Sequence, residues 1–103
     1  MSGNAGYFLR CLSYGNVVGF ILGSTMLFHY GRVFEINDLA VLPDYQRSGI
    51  ATRLLKHCIS EMKERGIKGI NLITANEGML PEFYGRYGFE REEEVILMGM
   101  KIE

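Results

Sequence analysis

The residues best suited to chemistry form the short stretch Gln46-Arg47-Ser48-Gly49, between an apolar segment and a run with helical periodicity. The first amides of a helix have no intrahelical acceptor, and the helix dipole places about half a positive charge there. A helix that begins after a glycine and near an arginine can therefore bind a phosphate group. On these residues alone, an ordinary helix cap preceded by a turn is the alternative.

Two common phosphate-binding motifs are excluded at this position. A Walker-type loop needs Lys and then Ser or Thr after its last glycine, whereas Gly49 is followed by Ile50 and Ala51. A dinucleotide fingerprint needs three glycines in the order G-x-G-x-x-G, and this stretch has only one. Any phosphate site here belongs to another class.

The cysteines and histidines predict neither a metal centre nor a covalent nucleophile. Cys58 lies on the apolar stripe of a helix and is expected to be a buried, inert thiol. Cys11 lies in the first strand, and no histidine–acid pair points to it. His29 precedes a turn and His57 lies on a polar helix face, so we expect both to be solvated. Four residues so scattered form no metal-binding set.

The pattern of apolar residues predicts one domain over residues 1–103 with an α+β (α/β) fold. The sheet is mixed and mostly antiparallel, and its third strand runs parallel to its fourth around a long amphipathic helix. A short second helix follows Pro81. The predicted elements are strands Tyr7–Tyr14 and Val17–Phe28, joined through Gly15-Asn16, strand Val33–Leu42, helix Ile50–Arg65, strand Ile70–Thr74 and a final strand Val95–Ile102.

Composition narrows the possible partners. The net charge of −1 shows no basic excess of the kind that nucleic-acid-binding proteins carry. The longest apolar stretch, Val17–Phe28, is too short for a membrane span, which needs about 20 residues. Residues Met1–Gly6 lack a signal-peptide pattern, and the two cysteines form no disulfide framework. We therefore expect a cytoplasmic protein that contacts neither nucleic acid nor membrane.

Two segments carry a family resemblance. The stretch Gln46–Ala51 resembles the signature Q/R-x-x-G-x-G/A of GNAT N-acetyltransferases, and Ala40-Val41-x-Pro43 resembles the usual residues before it. Residues Phe83–Phe89 are similar to the F-Y-x-x-x-G-F segment of the same superfamily. The likeness extends from about Tyr7 to the end of the sequence. Most members begin with a further strand and a helix pair, so the sequence is expected to be a member that lacks them.

The resemblance implies that acetyl-CoA is the acetyl donor and cosubstrate. The third and fourth strands would separate, and the coenzyme would lie in the gap. Asn76 would contact the coenzyme or cap its own loop. The residues expected to bind the pantetheine arm through strand backbone are Leu39, Ala40 and Val41, and those expected to bind the pyrophosphate are Gln46, Arg47, Ser48, Gly49, Ile50, Ala51 and Thr52.

The resemblance also implies a base and an acid. Glu35 lies eleven residues before Gln46, a spacing similar to that of the base glutamate in histone-type members. It is either the general base or a solvated glutamate at a sheet edge, and Asp38 is the other nearby carboxylate. Some relatives place the base on the next strand, where this chain has Leu72 and Thr74.

Tyr84 matches the family tyrosine that protonates the departing thiolate or hydrogen-bonds its sulfur. The alternative is an aromatic core residue that packs with Phe83 and Phe89.

The function expected from the resemblance is acetyl transfer from acetyl-CoA to a primary amine by direct attack in a ternary complex. The alternative is a non-catalytic acyl-CoA-binding or interaction domain of the same fold. The acceptor amine is left open. A sheet edge and an apolar face without their usual cover would be a liability in a monomer, so we expect a homodimer or a partner chain there.

Overall fold

The first hairpin is the simplest part of the fold in the computed structural model, which describes residues 5–75 and 78–102. Strands β1 (Ala5–Ser13) and β2 (Asn16–Phe28) pair antiparallel, with Ser13 opposite Asn16. The two-residue turn is therefore Tyr14-Gly15, and the predicted turn Gly15-Asn16 is wrong by one residue. Both turn residues have positive φ, 50° and 84°. A type I′ turn has positive φ at both central residues, and hairpins favour it because its twist matches that of the strands.

The remaining elements continue the predicted order. Strand β3 spans Gly31–Val41, and a 3₁₀ turn at Pro43–Tyr45 follows it. Helix α1 then spans Ile50–Glu64, strand β4 spans Gly69–Leu72 and helix α2 spans Leu80–Gly85. The sheet order is β1-β2-β3-β4; the first two pairings are antiparallel, and β3 and β4 are parallel. The predicted α+β fold with a mixed, mostly antiparallel sheet is confirmed.

Helix α1 covers one face of this sheet. A Cβ built on Gly19 of β2 would lie 2.9 Å from Ile50 Cγ2 and 3.2 Å from Leu54 Cδ1, so glycine allows the helix to approach the strand closely. The core between them contains the fully buried side chains Ile21, Phe34, Leu55, Cys58 and Met62. The predicted apolar stripe of α1 therefore faces the sheet.

The chain divides into two compact units, residues 1–73 and 74–103. In the second unit Tyr84 is buried, and its ring contacts Phe83 and Phe89 at centroid distances of 5.2 and 5.7 Å. The predicted final strand Val95–Ile102 is wrong, because these residues form no strand and their apolar side chains are exposed. Alternation favours a strand, but only a neighbouring ladder of hydrogen bonds stabilises one.

None of the helices in the described part of the chain combines the length and the apolar composition required to cross a membrane.

Candidate active site

The loop between β3 and α1 is closed by its own hydrogen bonds. The Tyr45 amide donates to the Leu42 carbonyl at 2.8 Å, and Ser48 Oγ donates to the Tyr45 carbonyl. The side-chain amide of Gln46 donates to the Val41 carbonyl at 3.0 Å. The side chains of Gln46 and Ser48 thus fix the loop, together with the Gln46 backbone amide, which donates to the Pro43 carbonyl at 3.3 Å.

The N-terminus of α1 leaves backbone amides available. Gly49 is the N-cap residue with φ 85° and ψ 5°, and no side chain caps the helix. The Arg53 amide makes the first bond, to the Gly49 carbonyl at 3.0 Å, so the amides of Ile50 and Ala51 precede the helical ladder. A Cβ on Gly49 would meet nothing within 4 Å. This terminus has open space and a partial positive charge, which suits an anionic group.

Arg47 adds a cation to the same loop. Its side chain is exposed, and its φ of 65° is in the left-handed region, which is uncommon for a residue with a Cβ. Such a conformation costs about 1–2 kcal/mol and is often found at functional sites. Residues 46–52 therefore lie together in one loop and helix start, as the sequence predicted.

Strand β3 changes its pairing halfway along. Its ladder with β4 covers Val33–Ile36 and ends with the pair Ile36–Leu72. Leu39, Ala40 and Val41 pair only with β2 in the described part of the chain. One edge of this segment thus carries backbone N–H and C=O groups without a strand partner there, next to the loop. An extended ligand arm could pair with such an edge.

A β-bulge at Asn37 sets the direction of the carboxylates. Leu22 pairs with Asp38 and Gly23 with Ile36, so Asn37 is the extra residue on β3. Three positions apart in a regular strand, Glu35 and Asp38 would point to opposite faces. The extra residue brings both onto the face turned away from α1. Both remaining candidates for the base are therefore on one face of the sheet.

A polar row that the sequence analysis missed runs across this face. Ser24 of β2 pairs with Glu35, and Glu35 pairs with Asn71 of β4. Residues paired across strands carry their side chains on the same face with Cβ atoms about 5 Å apart. Ser24 is half-buried and Asn71 is exposed. Neither belongs to a motif, and only the pairing of the strands could have revealed them.

Tyr84 belongs to the second compact unit and is described within that unit. Burial raises the pKa of its hydroxyl, so the group is protonated at neutral pH and able to donate a proton. Its ring contacts also fit the alternative of a packed core residue. The predicted coenzyme contact Asn76 lies outside the described residues.

Cys58 is the buried thiol that the sequence predicted. Its side chain is fully buried, and burial with the charge of Glu61 raises the thiol pKa to about 11. A thiol with this pKa is protonated at neutral pH and is a poor nucleophile. The His57 side chain is exposed, as expected for a solvated histidine, and its Nε2 lies 3.6 Å from Glu61 Oε1. Among the described residues, no three His, Cys, Asp or Glu side chains come together in a way that could hold a metal.

The chain is similar to known proteins in both sequence and fold. The chain matches the model of the acetyltransferase (GNAT) family over residues 1–89. An uncharacterized N-acetyltransferase of Methanocaldococcus jannaschii is 39% identical over 66 residues, which is 62% of this chain and 29% of that protein. The ribosomal protein bS18-alanine N-acetyltransferase of Escherichia coli (strain K12) is 38% identical over 53 residues, which is 50% of this chain and 36% of that protein.

A solved structure shows the same fold. An aminoglycoside acetyltransferase from an uncultured soil metagenomic sample has a TM-score of 0.83 at 22% identity, over 95% of this chain and 66% of that one. The fold and these matches define an acetyltransferase domain. The chain belongs to the acetyltransferase (GNAT) family, and the resemblance found in its sequence is confirmed. It spans about a third of the two relatives named above, at 29% and 36% of their lengths.

Proposed function

We propose that this chain transfers an acetyl group from acetyl-CoA to a primary amine by direct attack within a ternary complex. The observation that carries the proposal is the junction of β3 and α1. There a loop closed by its own hydrogen bonds leads into an uncapped helix N-terminus with open space at Gly49. The proposal assigns the pyrophosphate to the amides of residues 46–52 and the pantetheine arm to the backbone of residues 39–41.

Glu35 and Tyr84 carry the proton transfers of the proposed reaction. Glu35 accepts a proton from the ammonium form of the acceptor, directly or through water, because only the neutral amine is a nucleophile. The amine nitrogen then forms a bond to the thioester carbonyl carbon, and the carbon–sulfur bond breaks. As the amide forms, its nitrogen loses the second proton, and Tyr84 donates its hydroxyl proton to the departing thiolate. The second amine proton passes through solvent to the Tyr84 phenolate, and Glu35 releases the first proton to solvent, so both side chains return to their starting states. The products are the N-acetyl amine, coenzyme A and one released proton.

The first experiment is calorimetric titration of acetyl-CoA into the purified chain and into the variant Gly49→Glu. The matched control is Gly66→Glu, since Gly66 also has a left-handed φ, 75° against 85°, and open space around its Cβ. It lies beyond the opposite end of α1, about 25 Å away along the helix axis. Both variants should lose about 1–2 kcal/mol of stability. Only Gly49→Glu should abolish binding, and equal loss in both would refute the assignment.

The second experiment follows acetyl transfer to a panel of primary amines. Glu35→Gln should lower kcat by about 10²-fold or more, the usual contribution of general base catalysis. Asp38→Asn is its control, because Asp38 lies on the same face and is the alternative base. A larger loss in Asp38→Asn would move the role of base to that residue. Tyr84→Phe should lower kcat with little change in the affinity for acetyl-CoA.

A non-catalytic acyl-CoA-binding domain is the second candidate, favoured by the Tyr84 ring, which packs on Phe83 and Phe89 as a core residue would. It predicts binding of acetyl-CoA that depends on Gly49, with no transfer to any amine. The proposal also includes a homodimer and a cytoplasmic location. A reducing compartment suits the two free cysteines, Cys11 and Cys58. Sedimentation of the chain measures the first, and fluorescence microscopy of a tagged chain measures the second.

A further inference from the structure

Two uncharged polar residues, Ser24 and Asn71, lie on either side of Glu35, one on each neighbouring strand. Glu35 pairs with Ser24 of β2 and with Asn71 of β4. Neighbouring strands are about 4.8 Å apart, so both side chains start within reach of the Glu35 carboxylate. An ionised carboxylate only accepts hydrogen bonds and has about four acceptor sites, whereas a serine hydroxyl and an asparagine amide both donate. The row therefore places a donor on each side of the predicted base.

Packing of the sheet does not explain this polar row. On β2 the next residues on the same face are Met26 and Leu22, and both are apolar. Asn71 is the one polar residue of the strand Gly69–Leu72, and it is exposed. Asparagine is disfavoured in strands, where a β-branched residue would stabilise the sheet better. A polar side chain at this position therefore suits the chemistry of Glu35 more than the stability of the sheet.

We propose that Ser24 and Asn71 are positioning residues for the general base Glu35. Each donates a hydrogen bond to the carboxylate, and together they fix its direction while one oxygen stays open to the proton of the acceptor amine. In the described part of the chain no ion pair reaches Glu35, so the direction of the carboxylate depends on these uncharged neighbours. The inference rests on the proposed function, in which Glu35 is the base.

The two donors lie on opposite sides of Glu35 relative to the proposed coenzyme site. Asn71 is followed by Leu72, which makes the last pair of the β3–β4 ladder with Ile36. Asn71 is therefore on the side where the strand pairing ends, and Ser24 is on the side of β2. Hydrogen bonds to a charged group are among the stronger ones, so loss of either donor should lower kcat about tenfold. The affinity for acetyl-CoA should not change, because neither residue is assigned to the coenzyme.

Kinetics of amine acetylation test whether the two residues act through Glu35. Asn71→Ala and Ser24→Ala should each lower kcat about tenfold, and Ser24→Thr, which keeps the hydroxyl, should retain activity. In the Glu35→Gln background Asn71→Ala should have little further effect, because residues that act as a unit are not additive. Asn16→Ala is the matched control, since Asn16 is also an exposed strand asparagine. An equal loss from Asn71→Ala in both backgrounds would overturn the proposal.

A pH titration gives a second measurement that needs no turnover. The other charged side chains on this face of the four strands are Asp38, about 7 Å further along β3, and Arg10 of β1, and both stay the same in every variant. Asn71→Asp adds a carboxylate nearer to Glu35 than Asp38 is, and a neighbouring like charge favours the protonated form. The NMR titration midpoint of the Glu35 carboxyl should therefore rise by about one pH unit in Asn71→Asp but not in Asn16→Asp.

An unchanged midpoint in Asn71→Asp would overturn the proposal even if the chain transfers no acetyl group. The proposed function is judged separately, by binding of acetyl-CoA and by the loss of transfer in Glu35→Gln. If Glu35→Gln is impaired while the variants of Ser24 and Asn71 are fully active, the base assignment stands and the positioning role fails.

Discussion

A methyl group added at Gly23 tests how the strand that carries Glu35 is held. The residue pairs with Ile36 next to the bulge, and the Phe34 ring lies over it. A Cβ at this position would lie 2.5 Å from Phe34 Cζ and would overlap the Glu35 carbonyl oxygen. Carbon atoms in contact prefer about 3.5–4.0 Å. Because the opposing atoms are backbone and a fully buried ring, neither can move without shifting β3.

The expected change in stability of Gly23→Ala is the sum of two opposing effects. Overpacking a closed site costs about 1–3 kcal/mol, and a backbone contact belongs at the upper end of this range. Replacing glycine with alanine also reduces the freedom of the unfolded chain, which contributes about 0.4–1 kcal/mol in the other direction. We expect Gly23→Ala to lower the free energy of unfolding by about 2 kcal/mol. For a chain of 103 residues this lowers Tm by roughly 10 °C.

Two other strand glycines complete the series. A Cβ on Gly6 would meet nothing within 4 Å, so Gly6→Ala should be neutral or slightly stabilising. A Cβ on Gly19 would lie 2.9 Å from Ile50 Cγ2 and 3.2 Å from the Ala40 carbonyl oxygen, less tight than at Gly23, so its alanine variant should lose about 1 kcal/mol. Urea unfolding of all three variants is the assay, and Gly23→Ala should also reduce acetyl transfer through Glu35. Equal stability of the Gly6 and Gly23 variants would refute the reasoning.

Two further predictions concern the loop and the far end of α1. Arg47→Gly should raise the free energy of unfolding by about 1 kcal/mol, because Arg47 holds a left-handed φ, whereas Arg47→Ala should not. Equal stability of the two variants in urea would contradict this difference. Both variants should bind acetyl-CoA more weakly. Tyr7→Phe removes a 2.6 Å hydrogen bond to Glu61 and should cost about 1 kcal/mol at pH 7. That bond lowers the pKa of Glu61 in the folded protein. The contribution of the bond to stability is therefore fully present above the unfolded pKa of about 4.3, and it is lost as the pH falls through the lower pKa of the folded protein. The stability difference between Tyr7→Phe and the unaltered chain should therefore shrink from pH 5 to pH 3, and a constant difference would count against it.

Local patterns sufficed for several elements. The apolar stripe of α1 and Gly66 after it predicted a helix whose observed end differs by one residue. The segment around Gly49 is typical of a strand end, a turn and a helix start, and the structure has this order. These features depend on residues within one or two turns of each other, so periodicity and capping reveal them directly.

Pairing between distant residues explains what the sequence missed. The hairpin turn lies at Tyr14-Gly15 because the register of β1 and β2 selects it, although tyrosine seldom adopts φ 50°. The segment Val95–Ile102 alternates like a strand but has no ladder in the structure. A strand depends on a partner that sequence periodicity does not supply.

The sequence by itself determined the order of the main elements, the loop at Gln46–Gly49 and the membership of an acetyltransferase family, since all three are written in neighbouring residues. Only the tertiary structure decided that Glu35 and Asp38 share a face and that Ser24 and Asn71 flank Glu35. The physical reason is the extra residue Asn37. A bulge exists only relative to the opposing strand, and one extra residue reverses the face of every side chain that follows it.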